Sequence, residues 1–237
     1  MIVTIDAGNS RIKWGVHDGA AWIAQGALPT EEAARLAEVA PGWPAGADVV
    51  ACSVAGPAVE AAIEKAAVAS GRRLRWVRSE ASAHGVRNGY ERPERLGADR
   101  WAAMIGARAK TPGACLVVCA GTATTVDWLD AGGMFRGGLI LPGVRMMCGA
   151  LARNTAQLPH AEGEYREEPR NTMDAIVSGC LHAQAGAIER MFARASAEGV
   201  VLCLMTGGAA HRIAPCLGIP CRMEETLVLD GLLRCVS

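Results

Sequence analysis

The chain has 237 residues, 51% hydrophobic and 20% charged, which supports a sizeable core and excludes a disordered class. Its 24 basic and 24 acidic residues balance, so no global field draws it to nucleic acid or to an anionic membrane. The nine cysteines are odd in number and scattered without a C-x-x-C pair, indicating neither a zinc site nor a disulfide framework.

The first residues lack a basic start and run directly into an apolar strand, and no apolar run is long enough to span a membrane. The expectation is a reduced, soluble, cytosolic protein. Residues 2–5 are apolar and β-branched and read as a buried strand. The run stops at Asp6, turns through Ala7-Gly8-Asn9-Ser10 and resumes at Arg11-Ile12-Lys13-Trp14, a hairpin tipped by a carboxylate, a glycine, an amide and a hydroxyl. Such a tip suits phosphate handling. Glycine permits a tight turn with N–H groups aimed at phosphate oxygens, and Asp6 could hold a metal through its waters. The plainer alternative is a hairpin with ordinary turn residues.

A third strand is expected over 21–26, an alanine-rich helix from Thr30 to about Ala40, and a strand covered on both faces over 48–54. A helix over 58–70, ended by Gly71, and a strand over 74–77 complete the first half. The connector 84–97 is rich in turn residues and carries Tyr90, which by itself reads as a surface aromatic. Asp99 and Arg100 begin a helical segment. Asp99 sits where a capping Asp is common; the same carboxylate could act as a general base, with Arg100 holding an anionic substrate.

Thr111-Pro112-Gly113 marks the expected boundary between halves 1–111 and 112–237. Beyond it, Val118-Cys119-Ala120-Gly121-Thr122 overlays Ile5-Asp6-Ala7-Gly8-Asn9, with a thiol replacing the carboxylate. A strand closed by Pro142-Gly143 follows, then a helix over 144–153, an exposed loop over 158–170, and a long helix after Thr172, a candidate cap. A buried strand over 200–205 leads to Gly207-Gly208, which permit close approach of a flat ring such as adenine or simply make a tight turn. An edge strand over 223–229 and a helix over 230–235 are expected last. Each half thus reads as three strands with helices and further strands, a duplicated α/β plan matching the actin-like ATPase and sugar-kinase architecture, with two halves about a cleft.

With these stretches assembled, the sequence resembles type III pantothenate kinases. The resemblance rests on Asp6-Ala7-Gly8-Asn9-Ser10, Gly97-Ala98-Asp99-Arg100, Ala120-Gly121-Thr122-Ala123, Gly137-Gly138 with Pro142-Gly143, Thr172 with Ser178-Gly179, and Thr206-Gly207-Gly208. It implies ATP binding by Asp6, Ala7, Gly8, Asn9, Ser10, Arg11, Ile12 and Lys13, with Thr122 on a second phosphate loop. It implies pantothenate binding at Tyr90, Gly97, Ala98, Asp99 and Arg100, with Asp99 as proton acceptor. Thr172 would reach the substrate of a neighbouring subunit, making a homodimer. The resemblance also implies Mg²⁺ with ATP and activation by potassium or ammonium. Where such kinases usually carry a cation-binding Asp, this chain has Cys119, a poor ligand for a hard ion. The alternatives are a regulatory protein on the same fold and a kinase of another small hydroxy compound.

Overall fold

The computed structural model describes residues 1–154, 163–199 and 201–236. Two compact units emerge, Met1–Lys110 joined by Thr226–Ser237, and Thr111–Glu225.

In the first unit, β1 (Ile2–Ala7), β2 (Arg11–His17) and β3 (Trp22–Pro29) form an antiparallel meander. A short helix α1 (Leu36–Val39) precedes β4 (Asp48–Ser53), which pairs parallel to β1. Helix α2 (Pro57–Ala69) then returns the chain to β5 (Leu74–Trp76), parallel to β4. The sheet order is β3-β2-β1-β4-β5. A two-residue pairing of β6 (Ser82–Ala83) with β7 (Val86–Arg87) leads to helix α3 (Ala98–Lys110).

The second unit repeats this plan. Strands β8 (Ala114–Ala120), β9 (Ala123–Leu129) and β10 (Phe135–Pro142) form the meander. Helices α4 (Val144–Asn154) and α5 (Thr172–Ser196) precede β11 (Val201–Thr206), which is parallel to β8. The one-turn helix α6 (Ala210–Ile213) leads to β12 (Cys221–Met223), and the sheet order β10-β9-β8-β11-β12 mirrors the first. The chain closes with helix α7 (Leu227–Arg234).

Period-2 alternation explains the first sheet. Val3, Ile5 and Ala7 of β1 and Val49 and Ala51 of β4 join a core with Val59, Ile63, Ala66 and Ala67 of α2. The alternate residues Thr4, Val50 and Cys52 are also buried, because α3 and α7 cover the opposite face. The continuous apolar run of β4 is therefore a strand covered on both sides, as expected.

Three expectations shift. Residues 30–40 form a 3-10 segment, α1 and another 3-10 turn instead of one helix. Glu32 adopts non-helical angles (φ −99°, ψ 21°), and Pro41 supplies no N–H to continue the ladder. Met223 ends a strand, and the Leu227-Val228-Leu229 run begins α7, with Thr226 Oγ1 donating to Asp230 Oδ2 at 3.0 Å. Finally, the second unit runs from Thr111 to Glu225, and Thr226–Ser237 returns to the first. The cause is a glycine crossing. A Cβ at Gly106 of α3 would collide with the Leu227 carbonyl oxygen, and one at Gly231 of α7 with the Ala102 carbonyl oxygen. The expected loop over 158–170 lies partly outside the described residues. Its described part, from 163, is irregular. Among the described residues no helix is long and apolar enough to cross a membrane.

Gly231→Ala should lower unfolding stability by about 1–3 kcal/mol, as overpacked contacts do. Gly186→Ala, on the exposed side of α5 with open space around its Cβ, should be neutral or slightly stabilising. Urea unfolding of both variants compares them.

Candidate active site

The turn after β1 is held by its own backbone: Gly8 N–H donates to Arg11 O at 3.0 Å. Thr30 pins the tip from outside, its Oγ1 donating to Gly8 O at 2.7 Å and its N–H to Ser10 O at 3.1 Å. Asn9, Ser10 and Arg11 stand exposed at the tip, Ala7 and Ile12 are buried in the core, and Lys13 is half-buried. Ile12 thus offers a ligand its backbone alone.

Asp6 sits across from Lys13 on β2 and from Cys52 on β4. The Cys52 thiol donates to Asp6 Oδ1 at 3.7 Å. Burial, followed by repulsion from Asp99, raises the Asp6 carboxyl to about 6 against the opposing pull of Lys13 and the thiol. The Asp99 carboxyl is also raised, mainly by burial, with its own helix N–H groups and Arg100 working the other way.

Asp99 lies inside the first turn of α3 and is not its N-cap. Its Oδ1 accepts the Arg100 N–H at 2.8 Å. Gly97 makes this bend possible, since a Cβ there would lie 2.6 Å from Asp99 Oδ1. Ala98 is the first helical residue. Arg100 is only 4% exposed. Its Nη1 donates to the Tyr90 hydroxyl at 2.7 Å, and its guanidinium lies 5.6 Å from the centre of the Tyr90 ring. Tyr90 is thus tied to Arg100 and is not a loose surface aromatic. Asn88, unmarked by any sequence motif, staples this loop. Its Nδ2 lies 2.9 Å from Ser79 Oγ and 3.1 Å from Pro93 O, and its Oδ1 accepts Tyr90 N–H at 3.0 Å.

In the second unit, the turn after β8 is one residue shorter: Ala120 pairs with Thr124, whereas Ala7 pairs with Ile12. Gly121 N–H donates to Ala123 O at 3.0 Å, and Gly143 N–H to Thr122 O at 2.9 Å. Gly207 has φ +98°, and a Cβ there would strike the Ala120 backbone, so only glycine brings these turns together. Gly208 is exposed beside it. Cys119 pairs in register with Thr125 and Thr206. The buried hydroxyls of Thr124 and Thr125 have no hydrogen-bond partner. Thr172 is the exposed first residue of α5; the cap is Asn171, whose Oδ1 accepts Asp174 N–H at 2.9 Å. Thr172 edges an open apolar groove of about 490 Å³ bordered by Met147, Leu151, Ile176 and Cys180.

No group of three or more His, Cys, Asp or Glu side chains able to hold a metal occurs among the described residues. The desolvated, mutually repelling carboxylates of Asp6 and Asp99 nonetheless suit Mg²⁺ carried with phosphate and water, which takes only one or two protein carboxylates. The orphaned Thr125 hydroxyl beside Cys119 is a hard oxygen where the thiol offers none.

The sequence profile of the family described as type III pantothenate kinase matches residues 2–194. The chain belongs to that family. This kinase is 55% identical over 232 residues to the type III pantothenate kinase of Aromatoleum aromaticum, covering 98% of this chain and 96% of the relative. Two solved structures share the fold at low identity. A Campylobacter jejuni protein described as a Baf family transcriptional activator has TM-score 0.63 and 18% identity, with 98% of this chain and 96% of that one covered. A Sinorhizobium meliloti protein described as a 2-dehydro-3-deoxygalactonokinase has TM-score 0.64 and 16% identity, with 98% and 97% covered. The kinase thus has the duplicated actin-like architecture.

The raised Asp6 carboxyl has a signed consequence for stability. The folded state holds that proton more tightly than the unfolded chain, so stability falls as pH rises from about 3.8 through about 6. Asp6→Asn should stabilise the ligand-free kinase above pH 6, by at most ~3 kcal/mol at about 1.4 kcal/mol per pKa unit. The gain should vanish below about pH 4. Urea unfolding across this range checks it.

Proposed function

We propose that this kinase transfers the terminal phosphoryl group of ATP to the primary hydroxyl of pantothenate, opening coenzyme A synthesis, with Asp99 as proton acceptor. The observation that carries the residue assignment is the convergence in the first unit of two desolvated carboxylates, Asp6 and Asp99, with Arg100 anchored on Tyr90. Burial makes the Asp99 carboxylate a better base. Arg100, held by Tyr90, offers a fixed cation to the substrate carboxylate; Gly97 and Ala98 add contacts, and Thr172 reaches the substrate from the neighbouring subunit. The Asp6–Lys13 turn, together with Gly121, Thr122, Gly207 and Gly208, is assigned to ATP. Asp6 would hold Mg²⁺ through water; the ion, when bound, neutralises charge developing on the phosphates. Because that transition state is loose, positioning should contribute more than base strength.

The alternatives of a regulatory protein or a kinase for another hydroxy compound gain only shared fold from the Campylobacter and Sinorhizobium likenesses. Asp99→Asn should keep ATP binding and lower kcat by at least ~10²-fold. A coupled ATP assay over pantothenate and a panel of sugars and alcohols tests both points. Turnover of a sugar without turnover of pantothenate contradicts the substrate, and normal turnover by Asp99→Asn contradicts the base.

The working unit is proposed to be a homodimer that uses the Thr172 end of α5, where the apolar groove is open. Mixing inactive Asp99→Asn protomers with a bulky, inactive Thr172 variant should restore activity. A fully active monomer in sedimentation contradicts this. Potassium or ammonium is proposed to bind weakly, through oxygens such as the Thr125 hydroxyl. Cys119→Asp should strengthen potassium activation, and identical titrations of the two proteins would remove position 119 from the cation site. Cytoplasmic residence is proposed from the odd number and scattered spacing of the nine cysteines; recovery from an oxidising compartment contradicts it.

A further inference from the structure

Cys52 belongs to no motif, yet it is completely buried beside Asp6. Strand pairing puts it there. Asp6 is the register partner of Lys13 on one side and of Cys52 on the other, and side chains paired directly across neighbouring strands share a face. A transverse row Lys13–Asp6–Cys52 results, with the thiol directed to Asp6 Oδ1 at 3.7 Å. A thiol S–H is a weak donor, and the carboxylate oxygen is the acceptor it meets here. The thiol hydrogen thereby holds the carboxylate at Oδ1.

We infer that Cys52 is a positioning residue, whose S–H holds the Asp6 carboxylate in the rotamer that receives the magnesium-bound nucleotide. The inference rests on the assignment of Asp6 to nucleotide phosphates. Outer partners of metal-binding carboxylates act in this way, fixing an orientation without touching the ligand.

The test compares the wild type with Cys52→Val, which keeps volume without a donor, Cys52→Ala, which removes both, and Cys52→Ser, which keeps a donor. Affinity for Mg·ADP is read by calorimetry, beside kcat, the KM values for ATP and pantothenate, and melting temperature. Cys52→Val and Cys52→Ala should each weaken Mg·ADP about 10-fold and raise KM for ATP, leaving KM for pantothenate unchanged. Cys52→Ser should match the wild type. Wild-type affinity in Cys52→Val, or a loss in Cys52→Ser as large as that in Cys52→Val, overturns the inference. Asp6→Asn separates the two levels: unchanged nucleotide affinity in that variant removes the assignment of Asp6 itself, whereas a loss there with none in Cys52→Val removes Cys52 alone. Where the valine variant does not fold, the infrared S–H band of the ligand-free enzyme decides. Asp6→Asn should shift the Cys52 component, assigned by difference against Cys52→Ser, and an unmoved band overturns the inference.

Discussion

The first unit is organised by the cost of partly burying Asp6 and Asp99 together. Each carboxyl is raised by burial, and Asp99 raises Asp6 further. Isolated, such a pair would relax toward solvent or take up a proton. What prevents relaxation is the depth at which α3 is set. Residues 100–107 of that helix are buried without interruption between the sheet and α7. The close approach depends on Gly106 and Gly231, where any side chain would meet backbone. The last helix of the chain therefore fixes the position of a carboxylate near its middle. Lys13 and the Cys52 thiol supply the partial compensation that keeps Asp6 ionisable near neutrality.

Duplication has kept the sheet and altered the chemistry. Both units run antiparallel, antiparallel, parallel, parallel in one strand order. In the first, the turn after the opening strand follows a carboxylate and is tied down by Thr30. In the second, a tighter turn follows Cys119 and is closed by Gly143 and Gly207. One loop carries ionisable oxygen at its base; the other offers backbone groups, hydroxyls and closely packed glycine turns.

Much of this was legible in the sequence. The two hairpins, the doubly covered β4 and the α3 segment with Asp99 and Arg100 follow from local periodicity and turn chemistry. What escaped is set by contacts distant along the chain. Cys52 meets Asp6 only through parallel pairing, across a separation of 46 residues. Nothing near Thr226 signals that the following segment returns to the first unit. The Leu227-Val228-Leu229 run has the composition of a strand, and only packing against α3 makes it a helix. Asn88 looks like one turn residue among several, although three hydrogen bonds from its Nδ2 and one to its Oδ1 shape the Tyr90 loop. Asp99 was legible as a carboxylate at the entry of α3, but its reading as a cap fails because the helix has already begun at Ala98.

The coupled carboxylate pair is tested most directly by carbon-13 NMR titration of the Asp6 carboxyl in the ligand-free kinase, alongside Asp99→Asn. The account predicts a midpoint of about 6 in the wild type, moving down toward the ordinary aspartate range once the Asp99 charge is gone. A wild-type midpoint near 3.8, unmoved by Asp99→Asn, would contradict it.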